Sequence, residues 1–509
     1  MENKRKKGFL GFVENVGNKL PHPAIIFVIL AAVVAVISHF LSSKGLTVTY
    51  TALDRSTNEI KEMTTTVVSL LTPEGIRYMF TSAVKNFTNF APLGTVLVAL
   101  LGVGVAEGTG LIGAGLTKLV TSTPKRLITI VVVFAGVMSS IASDAGYVVL
   151  IPLGAVIFSS FGRHPLAGIA AAFAGVSGGF SANLMVGPTD ALLSGITTEA
   201  AKLSSSPVTV GVADNWYFIA ASVFVITILG TMVTEKIVEP RLGEYKGKRT
   251  EKLSELSAEE KRGLKFALIA FIVTIIAIAL LVVPSNGVLR NPVDGQILKS
   301  PFMDSIVLII AIVFLAPGIA YGYGAKKIKS SNNVIDLMAK SMATMGVYIV
   351  LVFFAAQFVE YFTYTNLGTV IAVKGAEFLK TIGLTGLPLI IVFIVVAAFI
   401  NIFMGSASAK WAIMAPIFIP MLMELGYSPA FTQMAYRIGD STTNIISPLM
   451  SYFALVVAFS QKYDEDSGAG TIISTMLPYS VMFFIGWVAL LVVWYLCKLP
   501  LGPGVGIGL

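Results

Sequence analysis

The 509-residue chain is 55% hydrophobic and only 13% charged, whereas an ordinary soluble domain contains roughly 25% charged residues. With a mean hydropathy of +0.83, this composition excludes a soluble enzyme and predicts repeated apolar spans of about 20 residues. The net charge of +8 is distributed over short basic runs beside apolar segments, so it favours membrane orientation over nucleic-acid binding.

The first apolar run extends from Ala24 to Leu41, after a basic and amphipathic N-terminus. Because no small-residue cleavage site follows it, we predict a retained membrane helix and not a signal peptide. Further runs long enough to cross a membrane lie at 93–117, 127–143, 216–234, 265–283, 304–322, 341–360 and 474–497. The stretches 144–190 and 388–460 are harder to divide. The single cysteine, Cys497, excludes an internal disulfide.

Basic residues mark the predicted cytoplasmic side of the membrane. They are concentrated in the N-terminal NKRKK, in TPKR at 123–126, in a long insert between Ile237 and Phe266, and in AKKIK at 325–329. By the positive-inside rule these segments are cytoplasmic, and the polar stretches 44–90 and 284–303 face outward as exposed loops. The charged insert is expected to contain an amphipathic helix.

Two segments of the chain share residues at a constant offset of 264 positions (416 − 152). The matched pairs are Pro152 with Pro416, Pro165 with Pro429, Tyr147 with Trp411, Gly175 with Gly439, and Ser177 with Ser441. This common register indicates an internal duplication. The helix that ends at Glu107 precedes the cytoplasmic TPKR, whereas its counterpart that ends near Glu360 follows the cytoplasmic AKKIK. The two copies are therefore predicted to be inverted.

Each copy contains two features that a simple spanning helix lacks. The first is a run with a central proline, 144–163 in one copy and 408–426 in the other, which we interpret as a re-entrant helical hairpin. The second is a helix interrupted by small and polar residues, GVSGGFSANLMVGPTD and RIGDSTTNIISPLM. Unpaired backbone groups are costly in hydrocarbon, so unwound segments at that depth line a cavity or bind an ion. The broken helices therefore mark the predicted site.

Charged and amide side chains accompany the second break. Arg437 and Asp440 share one helix face and are predicted to lie at the start of the break. Intramembrane charges are usually functional, with a self-neutralising structural ion pair as the alternative. Asp440 and Asn444 are spaced like Asn401 and Gly405, and their oxygens suit a small hard cation such as Na+. Asn side chains also serve as hydrogen-bonding contacts between membrane helices, so this interpretation has an alternative.

Aromatic and acidic residues lie near the predicted hairpins. Trp411, beside Ser408 and Lys410, is expected either to stack on an aromatic substrate or to anchor the chain at the membrane interface. Asp190 directly follows the GPT of the first break. Asp144 is expected either to handle protons or to cap the hairpin helix.

No enzyme motif competes with this interpretation. The sequence contains no GxxxxGK[ST], no GxSxG and no HExxH, and its three histidines lack the spacing of a metal site. Tyr147 and the many phenylalanines are interpreted as packing. Without a nucleotide-binding motif, transport must be driven by an ion gradient or by the solute itself. A membrane-embedded enzyme and a passive channel are the alternatives from other functional classes.

Over essentially its whole length the chain resembles the AbgT family of p-aminobenzoyl-glutamate transporters, most specifically in GSASAKWAIMAPIFIPML, GYSPAFTQMAYRIGDSTTNIISPL and GGFSANLMVGPTDALLSG. The resemblance implies an all-α polytopic membrane protein with about nine transmembrane helices, two re-entrant hairpins and an inverted repeat. It also implies a bowl-shaped homodimer around an aqueous basin in the bacterial inner membrane. Family members take up p-aminobenzoyl-glutamate, and some are reported to expel sulfonamides.

The same resemblance implies the site residues. The family's substrate-site positions fall on Asp190, Ser408, Trp411, Pro429, Arg437, Asp440 and Pro448. Its sodium-site positions fall on Asn401, Asp440 and Asn444, with Gly405 supplying a backbone oxygen nearby. Arg437 is then the expected planar partner for substrate carboxylates, and Trp411 the expected partner for an aromatic ring.

We therefore expect an ion-coupled secondary transporter of p-aminobenzoyl-glutamate or related aromatic amides, coupled to Na+ or H+, with no cofactor and no nucleic-acid partner. A sulfonamide or p-aminobenzoate efflux pump and a dicarboxylate importer are the alternatives within transport. The chain is predicted to divide into an N-terminal segment (1–90), the first repeat (91–235), a cytoplasmic loop (236–264), scaffold helices (265–335), the second repeat (336–460) and a C-terminal segment (461–509).

Overall fold

The structure is a computed structural model that describes residues 21, 23–54, 59–142, 146–204, 208–245, 256–297 and 300–509. Its longer helices, in chain order, are α1 (Pro23–Ser43), α2 (Pro73–Thr88), α3 (Ala91–Gly108), α4 (Leu111–Thr121), α5 (Ile128–Ser139), α6 (Ile151–Ser160), α7 (Pro165–Phe173), α8 (Pro188–Ala201), α9 (Trp216–Val233), α10 (Ala258–Val282), α11 (Ile306–Gly324), α12 (Ser331–Ala343), α13 (Gly346–Thr365), α14 (Leu367–Thr381), α15 (Gly386–Phe403), α16 (Ala407–Met423), α17 (Pro429–Asn444), α18 (Phe453–Gln461) and α19 (Ala469–Leu496).

The helices confirm a polytopic membrane fold. Within the described ranges, eight helical segments are long and apolar enough to cross a membrane. A ninth crossing is obtained if α4 and α5, which meet at a bend of 116°, are counted as one span. The predicted run 93–117 does not continue as one helix, because Gly110 adopts a left-handed conformation (φ 87°) between α3 and α4. The predicted amphipathic helix in the charged insert falls largely on residues 246–255, outside the described residues.

Residues 44–90 correct the prediction of an irregular outer loop. Strand β1 (Thr47–Asp54) pairs antiparallel with β2 (Glu59–Thr66), and α2 follows. Both strands are rich in threonine and other strand-favouring residues, which explains why the polar run is ordered. Helix α2 is held against α13 by a hydrogen bond from Asn86 Nδ2 to Gln357 Oε1 of 3.0 Å. The otherwise helical chain therefore carries one β-hairpin that the all-α prediction lacks.

The two predicted hairpins are displaced toward the N-terminus. The runs 144–163 and 408–426 do not fold back on themselves but form one arm each, α6 with a preceding π-helical turn (Gly146–Leu150), and α16. The other arm is the preceding apolar helix, α5 or α15, so the turn of each hairpin lies between α5 and the π-helical turn in the first copy and at 404–406 in the second. Pro416 lies inside α16 and does not mark a turn. With these corrected limits, the two helix pairs fit the predicted re-entrant hairpins; Asp144 lies outside the described residues.

The second break begins later than predicted. Helix α17 is continuous through Arg437 and Asp440 to Asn444, and the non-helical segment is 445–452. Pro448 lies in this segment, lacks a backbone N–H and disfavours helical geometry in the residue before it, which explains where the helix ends. In the first copy, α7 continues as a π-helical turn to Gly178, and the break extends from there to the start of α8.

The glycines at the shared offset have the same packing role. A Cβ on Gly175 would lie 2.4 Å from the carbonyl oxygen of Val133 in α5. A Cβ on Gly439 would lie 2.5 Å from the carbonyl oxygen of Ile394 in α15. In each copy the glycine therefore lets the broken helix contact the first arm of the hairpin at backbone distance.

The structure also shows how the two copies are inverted. Arg163, just before α7, donates from Nε to Glu239 Oε1 (2.8 Å), beyond the C-terminal end of α9. At the other end of α9, the backbone N–H of Tyr217 donates to the Leu501 carbonyl in the C-terminal tail (2.9 Å). The Ile507 carbonyl in the same tail accepts a 2.8 Å hydrogen bond from the backbone N–H of Ser428, which lies just before α17. The two broken helices thus begin at opposite ends of α9, which confirms the inverted repeat.

Replacing Gly175 with alanine should lower the midpoint of thermal unfolding of the purified protein in detergent. The added Cβ would overlap backbone in α5, and overpacking of this kind typically costs about 1–3 kcal/mol. Gly115→Ala in α4 is the matched control, because a Cβ at this position would meet no atom within 4 Å. Alanine is favoured over glycine inside a helix by roughly 0.5–1 kcal/mol, so the control should be unchanged or slightly stabilised. Equal midpoints for both variants would contradict the packing role.

Candidate functional site

A cavity of about 210 Å³ lies where the two breaks meet the second hairpin turn and the π-helical turn before α6. Its wall is formed by Tyr147, Phe180, Thr189, Gly405, Ala407, Asn444, Met450, Ser451 and Tyr452. Among these residues there is no Asp, Glu, Lys, Arg or His. The wall therefore combines aromatic side chains with hydroxyl- and amide-bearing ones, and both copies of the repeat contribute to it.

Close contacts join the first break to α17, and the second hairpin turn to the second break, near this cavity. The backbone N–H of Ser181 in the first break donates to Ser441 Oγ in α17 at 3.1 Å. Gly405 in the second hairpin turn lies so close to the second break that an added Cβ would be 2.3 Å from the Leu449 carbonyl oxygen. The absence of a side chain at Gly405 thus lets the turn contact the break directly.

Two buried ion pairs lie behind the cavity. Arg437 Nη1 is 2.6 Å from Asp190 Oδ1, and Lys410 Nζ is 2.5 Å from Asp440 Oδ1. All four side chains are at most 5% exposed. Arg437 and Asp440 do not pair with each other, so the alternative interpretation of a self-neutralising pair is wrong. Each of these two residues instead pairs with a residue on another helix, since a buried charge requires an opposite charge at hydrogen-bonding distance.

Asp190 is held in place at the beginning of α8. Its Oδ2 accepts a 2.8 Å hydrogen bond from the backbone N–H of Gly187, while its Oδ1 pairs with Arg437. A carboxylate in the first turn of a helix also interacts favourably with the free N–H groups there. Asp190 therefore joins the end of the first break to α17 in the second copy.

The residues predicted to hold sodium converge around the ammonium group of Lys410. Asn401 Nδ2 donates to the Asp440 carbonyl at 2.5 Å and to Asn444 Oδ1 at 2.9 Å. Lys410 Nζ donates to Asn401 Oδ1 and pairs with Asp440, so a side-chain cation lies among the predicted ligands. Sequence reasoning mentioned Lys410 only as a neighbour of Trp411, although a lysine inside an apolar run is itself a signal of function.

Trp411 does not line the cavity. Its indole is fully buried, stacks on Tyr436 with ring centroids 4.3 Å apart, and donates from Nε1 to Thr197 Oγ1 at 2.9 Å. Tyr436 in turn donates to the Ala407 carbonyl at the cavity wall (2.6 Å). The indole thus lies one side chain behind the wall.

The other three predicted substrate residues do not all lie near the cavity. Ser408 is half-buried in the first turn of α16, and Pro448 is half-buried in the second break. Pro429 is buried at the first position of α17. It lies 15 residues before Asn444, or about 22 Å along the helix at 1.5 Å per residue. The first two positions lie near the hairpin turn and the break, whereas Pro429 lies at the far end of the helix.

Sequence reasoning missed the aromatic wall. Tyr147 and Tyr452 stack with their ring centroids 4.4 Å apart and an interplanar angle of 14°, and both line the cavity. The sequence contains a signal for this position, because Tyr147 matches Trp411 at the offset that defines the duplication. The interpretation of Tyr147 as packing does not use this signal, since nothing in one sequence tells a lining aromatic from a buried one.

Asp190→Asn should destabilise the protein by about 3–5 kcal/mol, because it leaves the Arg437 guanidinium buried without its counter-charge. The double variant Asp190→Asn with Arg437→Gln should recover some of this loss, since it removes both charges. Thermal unfolding in detergent measures both effects. Glu74→Gln is the control: it breaks an exposed ion pair with Arg77, and we expect a loss below about 1 kcal/mol. A double variant as unstable as the sum of the two single variants would contradict the pairing.

Lys410→Met should make the protein more responsive to sodium. Without the ammonium group, Asp440 is buried next to amide oxygens and lacks a cation, and Na+ can replace the lysine there. We expect the variant to be stabilised by NaCl, relative to choline chloride at equal concentration, more than the unsubstituted protein is. Lys374→Met, which removes an ammonium group from an exposed pair with Glu377, is the control. An identical sodium response in Lys410→Met and the unsubstituted protein would show that Lys410 does not occupy a cation site.

Comparison with known proteins relates this geometry to transport. The profile of the "AbgT putative transporter family" matches residues 8–509. The chain is 41% identical to the p-aminobenzoyl-glutamate transport protein of Escherichia coli K12 over 495 residues, which are 97% of this chain and 96% of the relative.

Two solved structures have the same fold. The structure of MtrF from Neisseria gonorrhoeae, described as illuminating a class of antimetabolite efflux pumps, has a TM-score of 0.90 and 50% identity, covering 98% of this chain and 100% of MtrF. The crystal structure of the YdaH transporter from Alcanivorax borkumensis has a TM-score of 0.88 and 46% identity, covering 95% and 100%. These relatives are transport proteins, so the prediction of a transporter and not an enzyme is confirmed.

Proposed function

The chain belongs to the AbgT transporter family, and from this membership we propose that it moves p-aminobenzoyl-glutamate or related aromatic amides by ion-coupled secondary transport. As a member of this family it is a multi-span transporter of the bacterial inner membrane, as the sequence predicted. The substrate, the coupling ion and the direction of transport are the aspects that we propose.

The proposal rests on the position of the cavity relative to the buried charges. Asn444 lines the cavity, and its Oδ1 accepts a hydrogen bond from Asn401 Nδ2. Asn401 Oδ1 in turn accepts a hydrogen bond from Lys410 Nζ. Lys410 pairs with Asp440. A ligand that contacts Asn444 is thus two hydrogen bonds away from the Lys410–Asp440 pair. This is the arrangement that coupling between a solute and a cation requires, because each can change the other's affinity through shared contacts.

We propose that the coupling ion acts at Asn401, Gly405, Asp440 and Asn444. Oxygen atoms of this set suit Na+, and Asp440 is also a carboxylate that can carry a proton. Lys410 contacts the same carboxylate, so Na+ can bind there only if the ammonium group moves away. Both Na+ and H+ are therefore candidates that a flux experiment has to separate.

The proposed substrate residues divide into two groups by position. We propose direct contacts for Ser408 and Pro448, which lie at the second hairpin turn and the second break. For Asp190, Arg437 and Asp440 we propose that pairing between helices holds the two breaks together in the conformation that forms the cavity. The remaining two, Trp411 and Pro429, support the wall through Tyr436 and through the start of α17, respectively.

Inverted repeats with broken helices support a movement of alternating access. In such transporters one repeat or bundle moves against the other around a site near the middle of the membrane. Here the cavity is shared by both copies, so a movement of either hairpin unit changes its shape. The resemblance further leads us to propose a homodimer.

A second candidate function is export of aromatic antimetabolites such as sulfonamides or p-aminobenzoate. It is favoured by the 50% identity to MtrF, whose structure is described in terms of antimetabolite efflux. The same cavity serves either direction, because imposed gradients determine which way an alternating-access transporter runs. Import of dicarboxylates is less well supported, since the lining residues named above include no cationic side chain.

Reconstituted protein should accumulate labelled p-aminobenzoyl-glutamate in liposomes when a Na+ gradient or a pH gradient is imposed alone, and an ionophore that collapses the effective gradient should stop uptake. Asp440→Asn should lower the gradient-driven rate by at least about tenfold, because it removes the carboxylate of the proposed ion site. Glu74→Gln, on the exposed surface of α2, is the control and should keep the unsubstituted rate.

Failure to accumulate this substrate under any Na+ or pH gradient would contradict import. If sulfamethazine instead leaves preloaded liposomes under such a gradient, the efflux function takes its place. Competition by succinate equal to that by p-aminobenzoyl-glutamate would favour dicarboxylate transport.

A further inference from the structure

We propose that Tyr147 and Tyr452, the tyrosine pair, bind the aryl ring of the substrate. The cavity then binds the neutral aryl-amide end of the substrate, while the charged end stays at the opening of the cavity. This inference rests on the proposed function and adds to it the portion of the substrate that the protein recognises.

The tyrosine pair is assembled from both copies of the repeat. Tyr147 lies in the π-helical turn before α6 in the first copy, and Tyr452 lies just before α18 in the second copy. Their rings are nearly parallel, 4.4 Å apart, and Phe180 of the first break adds a third ring to the same cavity wall. Aromatic rings prefer offset-stacked or edge-to-face contacts at centroid distances of about 4.5–7 Å, so an aryl ligand can extend this stack.

The rest of the wall matches an amide or aromatic amine. Thr189 and Ser451 supply hydroxyl groups and Asn444 supplies an amide, each able to donate and to accept a hydrogen bond. A p-aminobenzoyl group has an amine at one end of its ring and an amide carbonyl at the other. Its hydrogen-bonding groups are uncharged, as are those of the described residues that line the cavity.

A carboxylate inside the cavity would lack a cationic partner. The two cations nearest in the network, Arg437 and Lys410, are at most 3% exposed and already paired with Asp190 and Asp440. Burying an unpaired carboxylate is strongly unfavourable. The two carboxylates of a glutamate moiety must therefore point to the open side of the cavity, where Ser451 is exposed.

The position of Trp411 supports this assignment. Trp411 is the counterpart of Tyr147 at the repeat offset, but its ring is fully buried against Tyr436 and its N–H donates to Thr197. It has no face toward the cavity. Of these two equivalent aromatics, only Tyr147 can contact a ligand in this conformation.

Isothermal titration of the purified full-length protein in detergent tests this inference with three probes: p-aminobenzoyl-glutamate, p-aminobenzamide and glutamate. We expect the neutral p-aminobenzamide to bind within about tenfold of p-aminobenzoyl-glutamate and glutamate to show no binding. Tyr147→Leu and Tyr452→Leu should each weaken both aryl ligands by about 3- to 10-fold, the usual contribution of one aromatic contact. Tyr147→Phe, which keeps the ring, should lose less than Tyr147→Leu.

Tyr323→Leu is the matched control, because Tyr323 is an exposed tyrosine near the end of α11, away from the cavity. It should keep the unsubstituted affinity. Thermal unfolding of every variant verifies that the protein is folded.

The outcomes separate this inference from the proposed function. If p-aminobenzoyl-glutamate is transported and both leucine variants bind it normally, the tyrosine pair is not the ring site, while the proposed function stands. If nothing is transported but p-aminobenzamide binds and loses affinity in the leucine variants, the ring site stands without the proposed function. Binding of glutamate without p-aminobenzamide, or no binding of either aryl ligand, would overturn the inference.

Discussion

The ion pair between Arg437 and Asp190 is the interaction on which the arrangement of the site depends. Both side chains are at most 5% exposed, so each charge has to meet its partner at hydrogen-bonding distance. Arg437 lies in the second copy of the repeat and Asp190 in the first. Pairing them places the start of α8 against the middle of α17, and the two breaks then lie side by side. The cavity is the space that remains between those breaks, the second hairpin turn and the π-helical turn before α6.

Hydropathy predicted most of the spans, because lipid imposes a length of about 20 residues. The orientation inferred from the basic loops stays a prediction. The limits of the second break were wrong for a physical reason. The polar run from Arg437 to Asn444 resembles an unwound segment, yet its side chains find partners on other helices, as Asn401 does for Asn444. Polar residues with such partners continue a helix, and the helix ends one turn before Pro448.

The partners of the buried charges could not be predicted from spacing. Lys410 and Asp440 lie 30 positions apart, and Asp190 and Arg437 lie in different copies. The offset that revealed the duplication identified equivalent positions such as Tyr147 and Trp411, but equivalence in sequence does not fix exposure. Tyr147 lines the cavity, whereas Trp411 is fully buried against Tyr436.

The C-terminal tail has a consequence for any movement of the protein. Through Leu501 it is bonded to the start of α9, and through Ile507 to the residue before α17. Two short stretches of main chain thus tie these helices together at one end, independently of their side chains. If the hairpin units shift during a transport cycle, α9 and the beginning of α17 should travel as one rigid body. The hinge would then lie nearer to the breaks, where the helices are interrupted.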